Sequence, residues 1–374
     1  MTAKRFAIIS HYAPSLINFR GPLIEDILAR GHEVFALGPD IDEGTAEALR
    51  ALGAKPVEIP LTRIGLNPLA DLWTLFSLYR ELSHIKPDVV LSYAAKPSIY
   101  GTMAAWLAGV PHRFAMIEGL GYVFIRRPNE NFAQRLLRST VTSLYRFALR
   151  RADRVFFLND DDIADFSNMA LVSPGQPVKI GGIGVDLEAW KPTPPVLSPI
   201  TFTFVGRLLR DKGVLEFVEA ARKVKAAHPH TRFLLVGGLD DNPESIREKD
   251  VEGWVQEGIL EWPGHVPVQP YLEQTSVFVL PSYREGVPRS TQEAMAMARP
   301  VITTDSVGCR ETVVEGRNGF LVPPRDPEAI AGGMRKFIAS PDLIASMGAE
   351  SRKLAEERFD VRKVNAAMIE AMGL

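Results

Sequence analysis

Short apolar runs alternate with segments of helical period along the whole chain. "RFAIIS" (5–10), "EVFALG" (33–38), "DVVLSY" (88–93) and "RVFFLN" (154–159) are continuous, the pattern of parallel strands buried on both faces. Between them, segments such as "FRGPLIEDILARG" and "LADLWTLFSLYRELSHI" read as helices. "TFTFVG" (201–206), "RFLLVGG" (232–238), "VFVLPS" (277–282) and "PVITTD" (300–305) repeat the rhythm in the second half. Such alternation predicts doubly wound α/β domains. A Gly- and Pro-dense stretch without periodicity, 179–199, separates the halves. Two Rossmann-like domains of similar size are expected, joined near residue 190. Ligands of such sheets bind beyond the carboxyl ends of the strands, and with two domains facing each other, in the cleft between them.

Composition narrows this picture. A chain of 374 residues, 46% of them hydrophobic, is too long for a single core. The net charge of −2 gives no global attraction to nucleic acid. One cysteine, Cys309, rules out an intramolecular disulfide framework and suits a reducing compartment. The N-terminus runs straight into a strand-like stretch without a signal peptide's apolar region and cleavage site. No apolar run reaches the ~18 residues of a spanning helix. These features predict a cytosolic protein.

The chemistry concentrates in two stretches of the second half. In "VGRLLRDKGVLEFVEAARKV", a strand is followed by Gly206, Arg207, Lys212 and a helix. Two cations at the carboxyl edge of a parallel sheet suit an anion, Arg as a fork and Lys as a point charge. A solvated basic turn is the plain alternative. In "SYREGVPRSTQEAMAMARPVITTD" (282–305), Glu285 lies in a turn and Glu293 inside the next helix. Ser290 and Glu293 have the form of a capping box, which would make Glu285-Gly286 an ordinary polar turn. The amides at that helix start attract phosphate, whereas the carboxylates suit hydroxyl groups. Cations, amides and carboxylates together fit a nucleoside-diphosphate sugar. The seven histidines are scattered and no paired-cysteine or H-E-x-x-H pattern indicates a metal.

With these residues in view, "EGVPRSTQE" (285–293) resembles the E-x7-E motif of retaining GT-B glycosyltransferases, in particular glycosyltransferase family 4. "GRLLRDKG" (206–213) is similar to that family's diphosphate-binding Arg/Lys pair, "GGIGVDLEAW" (181–190) to its interdomain segment, and "GRNGFLVPPRDPEAI" (316–330) to its C-terminal G-x-N-G stretch. The resemblance implies a GT-B fold with an acceptor-binding domain over 1–183 and a nucleotide-sugar-binding domain over 184–355. It also implies a C-terminal helix, 356–374, packing back on the first domain. Arg207 and Lys212, beside Gly206, would neutralise the diphosphate, aided by the amides near Ser290 and Thr291. Glu293 would hold the ribose, and Glu285, Gly286 and Val287 would contact the transferred sugar. A UDP-sugar donor is implied and no metal cofactor, because protein cations supply the charge.

The first half carries the acceptor candidates. "SHYAPSLINFRGPLI" places His11, Asn18 and Arg20 after the first strand. Arg20 is open to two readings, a ligand for an acceptor phosphate or a surface residue near a helix start. In "FAMIEGLGYVF" (114–124), Glu118 and Gly119 follow a strand, and Glu118 stands where many family members carry a histidine. It is expected to stabilise positive charge at the donor's anomeric carbon or to hold the acceptor hydroxyl, or else to be a loop residue that binds backbone amides. The implied catalytic set is Glu285, Glu118, Arg207 and Lys212. The segment 124–154 sets Arg126, Arg127, Arg135, Arg138, Arg146, Arg150, Arg151 and Arg154 against only Glu130 and Asp153. Leu137, Val141, Leu144 and Ala148 lie between them at helical spacing. It reads as a basic amphipathic helix for an anionic membrane surface, or as a domain helix with its stripe in the core. "LNPLADLWTLFSLY" (66–79) is a second bulky apolar segment that could flank a lipid groove with it.

Nearly the whole chain resembles the branch of the family that extends undecaprenyl-diphosphate-linked sugars in bacteria, though Ala95 replaces a relative's histidine and leaves the acceptor sugar open. The implied reaction is α-retaining transfer from a UDP-N-acetylhexosamine to a polyprenyl-diphosphate-linked saccharide at the inner membrane face. Two rivals stand beside it. A soluble family 4 transferase or UDP-sugar epimerase would not float with liposomes. A non-catalytic sugar-binding protein would release no UDP.

Overall fold

The computed structural model describes residues 3–62, 67–120, 132–240, 242 and 244–374. Leu66, Arg126, Arg127 and Glu130, which the sequence placed in possible lipid-facing segments, lie outside them. The chain divides into two units, Met1–Ile180 with Arg362–Leu374, and Gly181–Val361. The breaks expected from the sequence fall at 183/184 and 355/356.

The first unit runs β1 (Arg5–Ile9), α1 (Pro14–Asn18), α2 (Gly21–Ala29), β2 (Glu33–Gly38), α3 (Glu43–Leu52), β3 (Lys55–Glu58), α4 (Pro68–Ile85) and β4 (Val89–Tyr93). A single π-turn (Pro97–Gly101) leads into α5 (Thr102–Leu107), followed by β5 (His112–Ile117), α6 (Phe132–Leu149), β6 (Arg154–Phe157), α7 (Asp160–Asn168) and β7 (Pro177–Lys179). All strand pairs are parallel, in the order β3-β2-β1-β4-β5-β6-β7. The central strands are buried on both faces, which is why they read as unbroken apolar runs: Ile8, for instance, pairs with Ala36 on one side and Leu91 on the other. Polar residues placed just before helices cap them. Asn67 accepts from the amides of Leu69 and Ala70, and Asn159 from that of Asp162.

The second unit runs β8 (Thr201–Val205), α8 (Val214–Ala227), β9 (Arg232–Val236), α9 (Glu248–Gln256), β10 (Glu261–Gly264), α10 (Gln269–Glu273), β11 (Val277–Leu280), α11 (Arg289–Ala296), β12 (Val301–Thr304), β13 (Gly319–Val322), α12 (Pro327–Ala339) and α13 (Asp342–Arg358). Its strands are again all parallel, ordered β10-β9-β8-β11-β12-β13. Phe202, Phe204, Phe217 and Phe233 pack edge and face between β8, β9 and α8, with centroids 5.5 to 6.2 Å apart. The final helix, α14 (Val361–Met372), belongs to the first unit from Arg362 onward. There Asn365 donates to Asp26 at 2.7 Å and Lys4 to the Gly373 carbonyl at 2.8 Å.

Each sheet reverses its strand order once, between β1 and β4 in the first unit and between β8 and β11 in the second. At such a point the loops leaving the two strands diverge and open a crevice beyond their carboxyl ends. The sequence-predicted residues fall on the loops after β1, β5, β8 and β11 or, for Asn18, Ser290, Thr291 and Glu293, on the helices that follow β1 and β11.

Candidate functional site

In the second unit the loop after β8 and the loop after β11 are locked together. Gly213 has φ 74°, and a Cβ there would lie 2.1 Å from the Pro281 carbonyl oxygen, so the two loops touch only because this residue is glycine. The amide of Tyr283 donates to the Asp211 carbonyl at 2.8 Å. This junction carries Lys212 to Glu285: Nζ and Oε1 are 2.5 Å apart, and Ser282 Oγ donates to the same oxygen at 2.8 Å. The backbone of the Glu285-Gly286 turn lies against Gly308 (φ 76°), where a Cβ would come within 2.3 Å of the Glu285 and Gly286 carbonyl oxygens. Val287 is buried beside it.

The start of α11 does not form the capping box that its sequence suggested. Pro288 is the N-cap and no side chain caps the helix. Ser290 Oγ instead donates to the Val205 carbonyl at the end of β8 (3.0 Å), tying α11 to the sheet edge. Glu293 accepts from Arg289 Nε at 2.8 Å, one turn earlier. Thr291 is fully buried and its hydroxyl has no partner among the described residues. Burial pushes the Glu293 carboxyl above the ordinary glutamate range, with the Arg289 charge opposing. Burial and then the Glu285 charge push the Cys309 thiol up to about 11, so this cysteine is an inert core residue. Arg207, half-exposed after Gly206, pairs with Asp240 at 2.9 Å. The structure thus brings Lys212 against Glu285, and sets Arg207 and Glu293 each against a different partner.

In the first unit Arg20 and Glu118 meet. The surface reading of Arg20 is corrected: its side chain is only 2% exposed, because the turn between α1 and α2 folds it under the sheet edge. One guanidinium nitrogen pairs with Glu118 and lies 3.0 Å from the Met116 sulfur, and the group stacks 4.8 Å from the Tyr93 ring centroid. Tyr93 is held in turn by Ser15 (2.7 Å), and burial pushes its hydroxyl up to about 12. Gly119, with φ 143°, turns the chain directly after Glu118. His11 is half-buried, and Asn18 is exposed at the end of α1.

The apolar stripe formed by Leu137, Val141, Leu144 and Ala148 belongs to the domain core, not to a surface. Val141 and Ala148 are buried and Leu137 and Leu144 pack against the same core. Several arginines of 124–154 also close off neighbouring turns, Arg146 on the Met169 carbonyl (3.0 Å) and Arg150 on that of Ala170 (3.3 Å). Arg151 stacks on Phe147 and Trp106. Among the described residues no cluster of three or more His, Cys, Asp or Glu is placed to hold a metal ion, and no helix is long and apolar enough to cross a membrane.

Sequence reasoning missed the residues that join motifs. Gln292 accepts from the Gly184 amide (3.1 Å) and donates to the Val287 carbonyl (3.2 Å), so the 181–190 segment is fastened to the 285–293 segment. Its only signal was a polar residue inside a helix between Thr291 and Glu293. Asp240 and Tyr93 were missed because each acts through a partner far away in the chain, and Ser282 because its partner Glu285 is reached only once the turn is formed.

Two doubly wound parallel sheets, the second with Lys212 against Glu285 at its switch point, are the architecture of GT-B glycosyltransferases. The chain belongs to glycosyltransferase family 4: residues 21–179 match the family described as glycosyl transferase 4-like domain, and 199–340 the glycosyl transferases group 1. It is 31% identical over 342 residues, 87% of each chain, to the N,N'-diacetylbacillosaminyl-diphospho-undecaprenol alpha-1,3-N-acetylgalactosaminyltransferase of Campylobacter jejuni. It is 28% identical to the UDP-Gal:alpha-D-GlcNAc-diphosphoundecaprenol alpha-1,3-galactosyltransferase of Escherichia coli, over 82% of this chain and 80% of that one. Among solved structures, sucrose-phosphate synthase from Thermosynechococcus elongatus superposes with a TM-score of 0.81 at 22% identity, covering 98% of both chains. Anabaena HepE in complex with UDP and glucose gives 0.74 at 16%, covering 99% of both. The chain is therefore a hexosyltransferase, and the non-catalytic sugar-binding alternative falls.

Proposed function

We propose that the protein is a retaining transferase that moves an N-acetylhexosamine, such as GalNAc, from its UDP-sugar to an undecaprenyl-diphosphate-linked saccharide. The new bond is α, and the reaction takes place at the inner membrane face during bacterial glycan assembly. One observation carries the donor side: Lys212 and Glu285 lie 2.5 Å apart at the switch point of the second sheet, beside the start of α11. A lysine on a flexible stem can exchange a carboxylate partner for phosphate, and the carboxylate is then turned to the sugar hydroxyls. Arg207 adds a second cation, the amides near Ser290 and Thr291 add donors, and Glu293 takes the ribose hydroxyls. Gly286 and Val287 contact the sugar through their amides. The acceptor class is supported by the relatives named for undecaprenol-linked substrates.

Chemically, the diphosphate leaves and the acceptor hydroxyl attacks from the same face of the sugar. The departing phosphate oxygen takes the acceptor's proton, so no protein nucleophile is required. Arg207 and Lys212 stabilise the charge that builds on that phosphate, in the role that a metal ion plays elsewhere, and the reaction proceeds without one. Glu118, with Gly119 beside it and His11 and Asn18 in the segment after β1, is the proposed acceptor group. Arg20 supports it rather than binding phosphate itself.

The test is a panel of UDP-sugars against undecaprenyl-diphosphate-linked mono- and disaccharides, with and without EDTA. UDP release that requires both substrates, yields an α-linked product and survives EDTA is expected. Transfer to none of these acceptors, or transfer abolished by EDTA, overturns the acceptor class or the metal-free reading respectively.

A further inference from the structure

Helix α4 is apolar on two opposite faces. Leu78, Leu82 and Ile85 are buried in a core shared with α5 and α6. Opposite them Leu69, Leu72, Trp73, Phe76 and Tyr79 are exposed by 80, 61, 56, 52 and 39%. At 100° per residue these five form one stripe about 120° wide. Single exposed apolar side chains are ordinary, but five large ones on one stripe mark an interaction surface.

We propose that this stripe, and not the stripe of α6, seats the protein on the surface of an anionic lipid bilayer. The composition fits that occupant. Leucine and phenylalanine supply the apolar payload, while Trp73 and Tyr79 have the apolar body and polar tip of a membrane interface belt. From Leu69 to Tyr79 the stripe carries no carboxylate, and it continues into Arg80, which pairs with Glu81 at 3.0 Å. The placement fits as well. In a parallel sheet each helix begins at the carboxyl edge where its preceding strand ends. The first turns of α4, after β3, and of α6, after β5, therefore lie at the edge that carries Glu118. There α6 exposes Phe132 and Leu136, with Arg135 beside them. The large exposed apolar side chains of α4 are gathered in its first three turns, whereas its last turn is polar or buried. Resting on the lipid-linked acceptor proposed above, the stripe would hold this edge against the membrane in which that acceptor is anchored. No helix crosses the bilayer among the described residues, so the contact is one of surface insertion.

The experiment is co-sedimentation of the full chain with phosphatidylglycerol-containing vesicles and with phosphatidylcholine vesicles, without substrate. Wild type is expected to bind the anionic vesicles, and the double variant Trp73→Ser, Phe76→Ser to lose about tenfold or more in partition coefficient. Because both side chains are exposed, its thermal midpoint and UDP affinity should be unchanged, and transfer to a water-soluble short-chain acceptor retained. Vesicle binding equal to wild type overturns the proposal. So does a lipid-free dimer that the double variant abolishes, which would assign the stripe to a second copy. Since the vesicle arm uses no substrate, a chain that binds vesicles yet transfers nothing supports this surface while refuting the transfer reading.

Discussion

The two units each hold a cation against a carboxylate near the switch point of a sheet, but the pairs are built in opposite ways. In the second unit Lys212 and Glu285 are both partly accessible, 19% and 13%, and the cation sits on a flexible stem. In the first unit Arg20 is 2% exposed beneath a Glu118 that is 27% exposed. A partly hydrated pair can trade partners, because water covers the charge during the exchange. A buried guanidinium cannot, because losing its partner leaves a charge in a poorly solvated place. A cation beside a carboxylate is thus an exchangeable pair in one unit, the one assigned to the donor in the proposed function, and a fixed mount for a carboxylate in the other.

The largest effect is expected where the exchangeable pair meets the donor. Glu285→Ala should lower kcat on the order of 10²-fold or more through lost positioning of the sugar. Its thermal midpoint should hardly move, since Lys212 can hydrate and the fold loses under about 1 kcal/mol. Near-normal turnover would remove Glu285 from the site. Glu118→Ala should do the reverse to stability. It strands Arg20, and a cost of about 3 kcal/mol is expected in denaturant unfolding. If Glu118→Ala proves no less stable than Glu285→Ala, the contrast between fixed and exchangeable pairs is wrong. Arg207→Ala is smaller again. The side chain is half-exposed and held by Asp240. Calorimetry should show UDP binding weakened by roughly tenfold, the worth of one charge-assisted contact, with stability unchanged.

These differences explain what could be read in advance. Strands such as 88–93 and 232–238 were legible because burial on both faces leaves an unbroken apolar run. That Lys212 and Glu285 lie at one sheet edge was legible because each follows an apolar strand run that a charged residue ends. Arg20 was not. Its sequence neighbours are those of any helix start, and its burial depends on Glu118 and Tyr93, 98 and 73 residues away in the chain. The S-x-x-E of 290–293 misled for a related reason. Ser290 found a better acceptor in the Val205 carbonyl, 85 residues earlier, and Glu293 found Arg289. In the same way the α6 stripe promised to the membrane was claimed by the core, while the apolar bulk of 66–79 was legible but not its division into a buried and an exposed face, because opposite stripes blur one another's period.

The smallest effect sharpens the comparison from inside the second unit. Glu293 is a carboxylate kept in a place that disfavours its charge, with burial raising its pKa and Arg289 only partly restoring it. A raised value means that the folded chain holds this proton more tightly than the unfolded chain, whose glutamates titrate near ~4.3. Stability should therefore fall as pH rises from about 4 through the raised value, and then level off. Glu293→Gln does not titrate, so its thermal midpoint should gain on wild type over the same interval and keep the gain at pH 8. Each tenfold displacement of the acid constant is worth about 1.4 kcal/mol, or roughly 3–6 °C in a domain of this size. A gap that closes with rising pH would mean that Arg289 outweighs burial and that the pair is structural. A gap that opens, together with weakened UDP binding in the variant, would mark Glu293 as a charge kept against stability for the sake of the ribose hydroxyls.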